Sequence, residues 1–434
     1  MKILSIELEN FWGFEHFGAR LDPDFNLVVG DNGYGKTAFL EGLAVGLGSF
    51  FLGTDGAVPT NGIDGADIRC EVHEFQGLPT VEYRYPSTVR CSGQIEGQTL
   101  TWSRSLNAKH GRTTRQDASQ LSKKARQICQ EIREGASRPL PVLAYYGTRR
   151  LWRLKKDREK LARHLGSRFD GYEDCLDPAS NHKQLTEWMR QQAGVALQSG
   201  KTVPHVAAVE EAVVSCIGGA KGFYYNHRFL ELRVQLQDGR ELPFELLSDG
   251  YRNMIAMVAD IAWRAAVLNP HFGDAAARKS TGVVLIDEID LHLHPAWQRS
   301  VIANLRRSFP GIQFVATTHS PQVISSARRE WILSLKGGLD SPAGVGFVEG
   351  KDSNSILAGE MGVPERPEEM KSALTEVFDL IDRGDFPKAT KKVGELEKKL
   401  GMDDSELVRA RWLLEAEESG PDDEPPAGSP RGRS

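Results

Sequence analysis

The sequence has little cysteine and uses it without pattern. Its five cysteines, Cys70, Cys91, Cys129, Cys175 and Cys216, are scattered, with no C-x-x-C pair. A disulfide framework and a structural zinc are therefore not expected, and isolated thiols in odd number suit the reducing cytoplasm. A long apolar run is also missing. The most apolar stretch, Met254 to Leu268, carries Asp260 and Arg264 and falls short of the ~20 apolar residues of a membrane span. Near the N-terminus Glu7 stands where a signal peptide needs an apolar segment. No internal repeat is legible. These absences set aside membrane, secreted, zinc-stabilised and repeat-protein classes.

Glycine, by contrast, is abundant. It supplies 43 of 434 residues, about a tenth of the chain against a usual ~7%, and it marks turns and close backbone approach. The net charge of −5 hides an uneven distribution. Residues 104 to 163 hold 17 Lys/Arg against 5 Asp/Glu, so a basic block sits in an otherwise acidic chain. Such a block is an electrostatic footprint for DNA, RNA or an acidic partner. It includes Arg112, Arg115, Lys123, Lys124, Arg126, Arg149, Arg150, Arg153, Lys155 and Lys156, and few aromatics for base stacking.

Hydrophobic patterning gives an alternation of strands and helices. Residues 1 to 30 read as strands, and a helix is expected over 37–47. Residues 65–103 read as an antiparallel meander, 116–134 as a basic helix, 141–146 as a short strand and 150–215 as mostly helical. Strands at 229–237 and 242–244 precede a long helix over 250–269. A buried strand at 283–286, a helix over 295–308 and a strand at 312–316 follow. Three amphipathic helices are expected at 370–384, 388–400 and 404–418, the last opened by a capping box of Asp403 and Glu406. The Pro/Gly/Ser-rich segment 419–434 has the composition of a disordered tail.

Gly30-Asp31-Asn32-Gly33-Tyr34-Gly35-Lys36-Thr37 matches G-x-x-x-x-G-K-[ST] between an expected strand and an expected helix. A chance match in a chain this long has odds of roughly one or two in a hundred. The glycines let backbone N–H groups surround an anion at a helix N-terminus. Lys36 would reach the β- and γ-phosphates, and the Thr37 hydroxyl would lie on Mg²⁺. Val283 to Ile286 ends in Asp287 and Glu288. There Asp287 would hold the metal through water, and Glu288 would polarise the attacking water.

With Leu247-Ser248-Asp249-Gly250-Tyr251 before the long helix, the sequence resembles the ABC-type ATPases, in particular their RecF/SMC-like branch. Tyr251 stands where transporters have Gln. Asp287 to Pro295 looks like that branch's Walker B, D-loop and LHP run. Thr317-Thr318-His319-Ser320-Pro321 looks like its H-loop. The resemblance implies an α/β P-loop NTPase fold of the ABC type with an antiparallel β subdomain, an inserted helical lobe and a small C-terminal helical region. The core halves would be 1–103 and 229–350, the basic lobe 104–228 and the appendage 351–418. It also implies ATP and Mg²⁺ as cofactors, His319 as γ-phosphate sensor, and a head-to-tail dimer or higher oligomer. In that dimer Ser248 and Gly250 would act in trans, and Asp290 would lie at the interface. His292 and His294 form an H-x-H that could suggest a metal; the resemblance makes them packing positions.

Two features depart from the pattern. Gly147-Thr148-Arg149-Arg150 offers no Q-loop glutamine, and Asn10-Phe11-Trp12-Gly13-Phe14 lacks the basic residue common nearby. The helical C-terminus, with Phe378 to Phe386, looks like that of the PtuA-type ATPases of Septu and retron-associated anti-phage systems. That implies a separately encoded HNH nuclease partner. A DNA repair ATPase acting directly on DNA is the alternative. A transporter subunit is disfavoured by Tyr251, the missing glutamine and the basic insert.

Overall fold

The computed structural model describes residues 1–54, 61–75, 78–148, 167–178, 182–201, 203–335, 349–351, 355–356, 359 and 366–418. Arg149, Arg150, Arg153, Lys155, Lys156 and the 419–434 tail lie outside these residues.

A five-stranded parallel sheet forms the centre. In chain order its members are β3 (Phe25–Val29), β8 (Val142–Tyr146), β12 (Gly282–Ile286), β13 (Ile312–Thr317) and β14 (Ile332–Ser334). In space they run β14-β3-β13-β12-β8. Four of them, β3, β8, β12 and β13, are buried along their whole length, as expected of a parallel sheet covered on both faces. The phosphate-loop segment, Asp287-Glu288 and Thr318-His319 follow β3, β12 and β13. All three therefore emerge at the carboxyl ends of adjacent strands, where open α/β sheets bind ligands.

A second sheet is antiparallel: β1 (Lys2–Phe11), β2 (Phe14–Arg20), β6 (Ser87–Ile95) and β7 (Gln98–Leu106), ordered β2-β1-β6-β7. Helix α1 (Lys36–Gly48) lies between the two sheets, against β1, β6 and β7 on one side and β12 and β13 on the other. It is buried except at Thr37 and Glu41, and beyond Lys36, Thr37 and Glu41 it is apolar all round.

The expected meander is in fact two hairpins. Strands β4 (Cys70–Phe75) and β5 (Leu78–Tyr83) pair only with each other, while β6 and β7 join β1. The alternation of β6 and β7 gives a buried face; β4 and β5 carry Glu71, His73, Glu74 and Glu82 and have no comparable one.

Helix α2 (Ser119–Arg133) matches the basic helix. It buries Leu121, Ala125, Ile128 and Cys129. Helices α3 (His182–Ser199), α4 (Pro204–Cys216) and α5 (Asp249–Leu268) form a further layer beside a small sheet, β11-β10-β9. Strand β9 (Ala220–Asn226) was not legible in the sequence, where it falls in the inserted helical lobe 104–228, beyond the helical pattern of 150–215. Its pairing with β10 (Glu231–Leu236), which in turn pairs β11 (Glu241–Pro243), fixes it as strand.

Short helices α6 (Ala276–Lys279), α7 (Pro295–Gln298), α8 (Val301–Ser308) and α9 (Pro321–Ser325) complete this unit. The single helix expected over 295–308 is broken at Arg299–Ser300. There the Ser300 hydroxyl bonds back to the Trp297 carbonyl at 3.3 Å, in competition with the helical ladder.

Residues 366–418 belong to a second compact unit, with α10 (Glu368–Asp382), α11 (Phe386–Leu400) and α12 (Ser405–Glu418) around a core of their own. The cap of α12 is Asp404 rather than Asp403. Its Oδ1 accepts from the backbone N–H of Glu406 and Leu407, and its carboxylate pairs with Arg366 at 2.8 Å. No capping box forms with Glu406, because the cap lies one residue further on.

The two charges noted in the most apolar stretch are one buried pair. Arg264 Nε donates to Asp260 Oδ2 at 2.8 Å on α5, and the Tyr146 hydroxyl of β8 donates to the same oxygen at 2.6 Å. Arg264 also donates to the carbonyls of Gly171 and Glu173. Removing one member of a buried pair leaves the other uncompensated, at a cost of about 3–5 kcal/mol. Asp260→Asn, which keeps the volume, should therefore lower the denaturation midpoint of the first unit markedly while leaving its secondary structure intact at low temperature. An unchanged midpoint by circular dichroism would contradict this account.

Candidate functional site

The loop between β3 and α1 is shaped by glycine and closed by lysine. Gly35 sits at φ +83°, and a Cβ there would lie 2.7 Å from the ring of Phe14. No other residue type meets both demands without strain. Lys36 is only 7% exposed, and its Nζ donates to the carbonyls of Gly30 at 2.8 Å and Asp31 at 2.9 Å. Burial pulls its pKa below the ordinary lysine value, against the opposite pull of Asp287, Asp31, Glu288 and Asp290. Asp31, Asn32, Gly33 and Tyr34 are exposed on the rim.

Asp287, at the end of β12, is 3% exposed and fully engaged. Its Oδ2 accepts from Thr37 Oγ1 at 2.9 Å, and its Oδ1 from Thr317 Oγ1 at 2.6 Å. Its backbone N–H donates to the Tyr146 carbonyl at 2.8 Å. Asp287, through its carboxylate and its backbone N–H, thus ties the first turn of α1 to the ends of β8, β12 and β13. A carboxylate and a hydroxyl meeting at 2.9 Å are hard oxygen donors, the set that suits Mg²⁺ when water and phosphate supply the rest. Beside it Glu288 is half-buried at φ +49°, with its N–H donating to Thr317 Oγ1 at 2.7 Å. His319 is half-buried two residues beyond β13.

The segment after Glu288 is held from two sides. Asp290 Oδ1 accepts from the hydroxyl of Thr318, so this residue is engaged within its own chain. From α5, Asn253 Nδ2 donates to the Leu291 carbonyl at 3.0 Å. The ring of Tyr251 meets that of Trp297 edge-on, centroids 4.1 Å apart. Gly250 is required by this contact: a Cβ there would stand 2.4 Å from the His292 carbonyl oxygen. Ser248 is the N-cap of α5 by position, exposed, and its side chain makes no bond to the helix. His292 and His294 are exposed rather than packed. His294 caps α7 through Nδ1, and no group of three or more metal-ligating side chains occurs among the described residues.

Two family models match along the chain, an AAA domain over residues 5–198 and an AAA ATPase domain over residues 192–324. The Retron Vc95 probable ATPase of Vibrio cholerae serotype O1 biovar El Tor is 26% identical, over 87% of this chain and 83% of that protein. The chain is an ATPase. It is similar to retron and Septu ATPases. The Retron Ec83 probable ATPase of Escherichia coli is 36% identical over 48% of this chain, and the Septu protein PtuA of Bacillus mycoides (strain KBAB4) is 42% identical over 27%. These two matches span 38% and 14% of those proteins' own lengths.

Several residues of this ATPase's site were missed in the sequence. Thr317 bridges Asp287 and Glu288; two hydroxyls at a strand end beside His319 were the available signal. Tyr145 and Tyr146 point to opposite faces of β8. The Tyr145 hydroxyl donates to Glu41 of α1 at 3.1 Å, and Tyr146 reaches Asp260 of α5. Burial raises the Glu41 pKa above the ordinary carboxylate value, with the Tyr145 bond opposing it. Gly147 and Thr148 follow, with no glutamine, and Arg149 and Arg150 lie outside the described residues.

Part of the basic block is spent internally. Arg104 is buried and donates to the Thr114 carbonyl, and Lys124 and Arg138 both pair with Glu96. Arg112, Arg115, Lys123 and Arg126 remain exposed. No helix among the described residues is long and apolar enough to cross a membrane.

The Gly250–His292 contact makes a direct prediction. Gly250→Ala should displace the 290–293 segment and lower ATP turnover, at a stability cost of about 1–3 kcal/mol. ATP affinity, measured by a fluorescent analogue, should be retained. Wild-type turnover in this variant would show that the close approach is not needed for hydrolysis.

Proposed function

We propose that this ATPase binds ATP·Mg²⁺ at residues 30–37, dimerises head to tail when loaded, and in that state controls a partner nuclease of the HNH type in anti-phage defence. The observation that carries the nucleotide reading is the Thr37–Asp287 bond of 2.9 Å, which joins the phosphate-loop helix to the strand carrying the acidic pair. The similarity to the Vc95 protein, over 87% of this chain, supports the defence assignment.

In this reading the N–H groups of Gly30 to Gly35 and the α1 N-terminus hold the phosphates. Lys36 exchanges its two carbonyl acceptors for phosphate oxygens. Thr37 and Asp287 would hold Mg²⁺, which would offset the charge on the phosphate oxygens. Glu288 takes the proton of a water attacking the γ-phosphorus; the bond from that phosphorus to the bridging oxygen breaks, and ADP leaves with the electron pair. His319 contacts the γ-phosphate. Ser248, Gly250 and Asp290 complete the site of the facing subunit, where the unbonded Ser248 side chain is open to a ligand.

The second reading is direct action on DNA or RNA through 104–163, favoured by the exposed Arg112, Arg115, Lys123 and Arg126. Reversing these four charges should abolish any nucleic-acid stimulation of hydrolysis and flatten its salt dependence. If stimulation survives, the block serves a protein.

Glu288→Gln should lower turnover by about 100-fold or more and accumulate an ATP-bound dimer in size-exclusion chromatography with light scattering. Lys36→Ala should lose nucleotide binding and remain undimerised. Unchanged turnover in both variants would sink the assignment.

A further inference from the structure

The run Leu293-His294-Pro295 plays no part in the nucleotide chemistry above, and it builds a helix start. His294 is the N-cap of α7, with its Nδ1 accepting from the Ala296 N–H at 3.3 Å. Pro295 takes the first helical position, where its missing N–H is needed by no helical bond. The helix that follows is a single turn, Pro295–Gln298. One turn is too short to be stable alone, so its side chains must anchor it. Trp297 packs edge-on against Tyr251 of α5. Gln298 uses both ends of its amide. Its Nε2 donates to the Leu293 carbonyl at 2.9 Å, and its Oε1 accepts from the Ser320 hydroxyl at 2.7 Å.

The second of these bonds reaches the residue that follows His319. On the other side of that histidine, the Thr318 hydroxyl donates to Asp290. Thr318 and Ser320 are 1% and 6% exposed, while His319 between them is half-buried. Among the described residues no side-chain hydrogen bond holds the His319 ring. Its place is therefore set through its two neighbours, and both are anchored to one stretch of chain, residues 290–298. The Ser320 hydroxyl has a single proton to give. Its lone pairs already accept the N–H groups of Gln322 and Val323 at the start of α9. The partner of that proton must be an acceptor, and the Leu293 carbonyl beside it needs a donor. Only an amide side chain of this length meets both needs, since a carboxylate has no donor and a lysine no acceptor.

We infer that Gln298 is a positioning residue for His319: by holding Ser320 it fixes the second end of the short segment that carries the imidazole. The inference rests on the reading in which His319 contacts the γ-phosphate. With Thr318 alone tied down, the chain beyond it turns about two soft dihedrals per residue. The Gln298–Ser320 bond removes that freedom. It also joins the His319 segment to the 290–293 segment, which Asn253 and Gly250 hold from α5.

The test is a double-mutant cycle on the full-length protein, with Gln298→Met, which removes both amide functions at similar volume, and His319→Ala. Gln298→Met should lower kcat about tenfold and leave the affinity for a fluorescent ATP analogue within about twofold of wild type. In the His319→Ala background the same substitution should change kcat by less than about twofold, because it acts only through the imidazole. Gln298→Glu, which keeps an oxygen for Ser320 and offers no N–H to Leu293, should fall between wild type and Gln298→Met. If Gln298→Met loses nucleotide affinity through misfolding, Gln298→Glu carries the cycle in its place. Wild-type kcat in both Gln298 variants would overturn the inference. So would an equal fall in kcat with and without His319, the pattern of a purely structural residue; in that case the His319 reading stands and the inference alone falls. Wild-type kcat in His319→Ala would remove the γ-phosphate reading and the inference with it.

Discussion

The site depends on one carboxylate. Asp287 accepts the hydroxyls of Thr37 and Thr317 and offers its N–H to Tyr146, so the ends of three neighbouring strands and the start of α1 converge on it. Buried as it is, such a group is stable only with its hydrogen bonds made. Each of these bonds comes from a different stretch of the chain. The phosphate-loop helix, the strand lacking a glutamine and the segment leading to His319 are therefore positioned by the same few atoms.

The sequence was most legible where chemistry and local geometry coincide. The residues from Gly30 to Thr37 need a strand before them and a helix after, and the buried run before Asp287 needs a parallel sheet. Both demands show in the pattern of residue types. Legibility failed where pairing across long distances decided the outcome. Strand β9 is fixed by β10, and whether residues 65–103 form one meander or two hairpins depends on which strand β1 accepts. Long-range partners also hid the Tyr146–Asp260–Arg264 cluster, whose members lie 114 positions apart at the tyrosine–aspartate bond. Sequence reading gave Asp260 and Arg264 only as a reason to reject a membrane span.

Glycine and charge both acquired location. At Gly35 and Gly250 a side chain would strike the Phe14 ring and the His292 carbonyl, so part of the glycine excess serves close approach around the site. The basic block divides into residues that hold the fold, such as Arg104 and Lys124, and a smaller exposed set. Local net charge overstated what is free to meet a partner.

Strand β8 has a mechanical consequence. Its last two side chains, one residue apart, brace α1 on one face of the sheet and α5 on the other through Glu41 and Asp260. Strand side chains alternate faces, so a slip of a single residue would present each tyrosine to the wrong helix. The sheet end therefore works as an indexed strut: it fixes the spacing of the two helices in whole-residue steps. Sliding either helix past it means breaking a tyrosine–carboxylate hydrogen bond, so gradual adjustment at this point of the molecule is closed off.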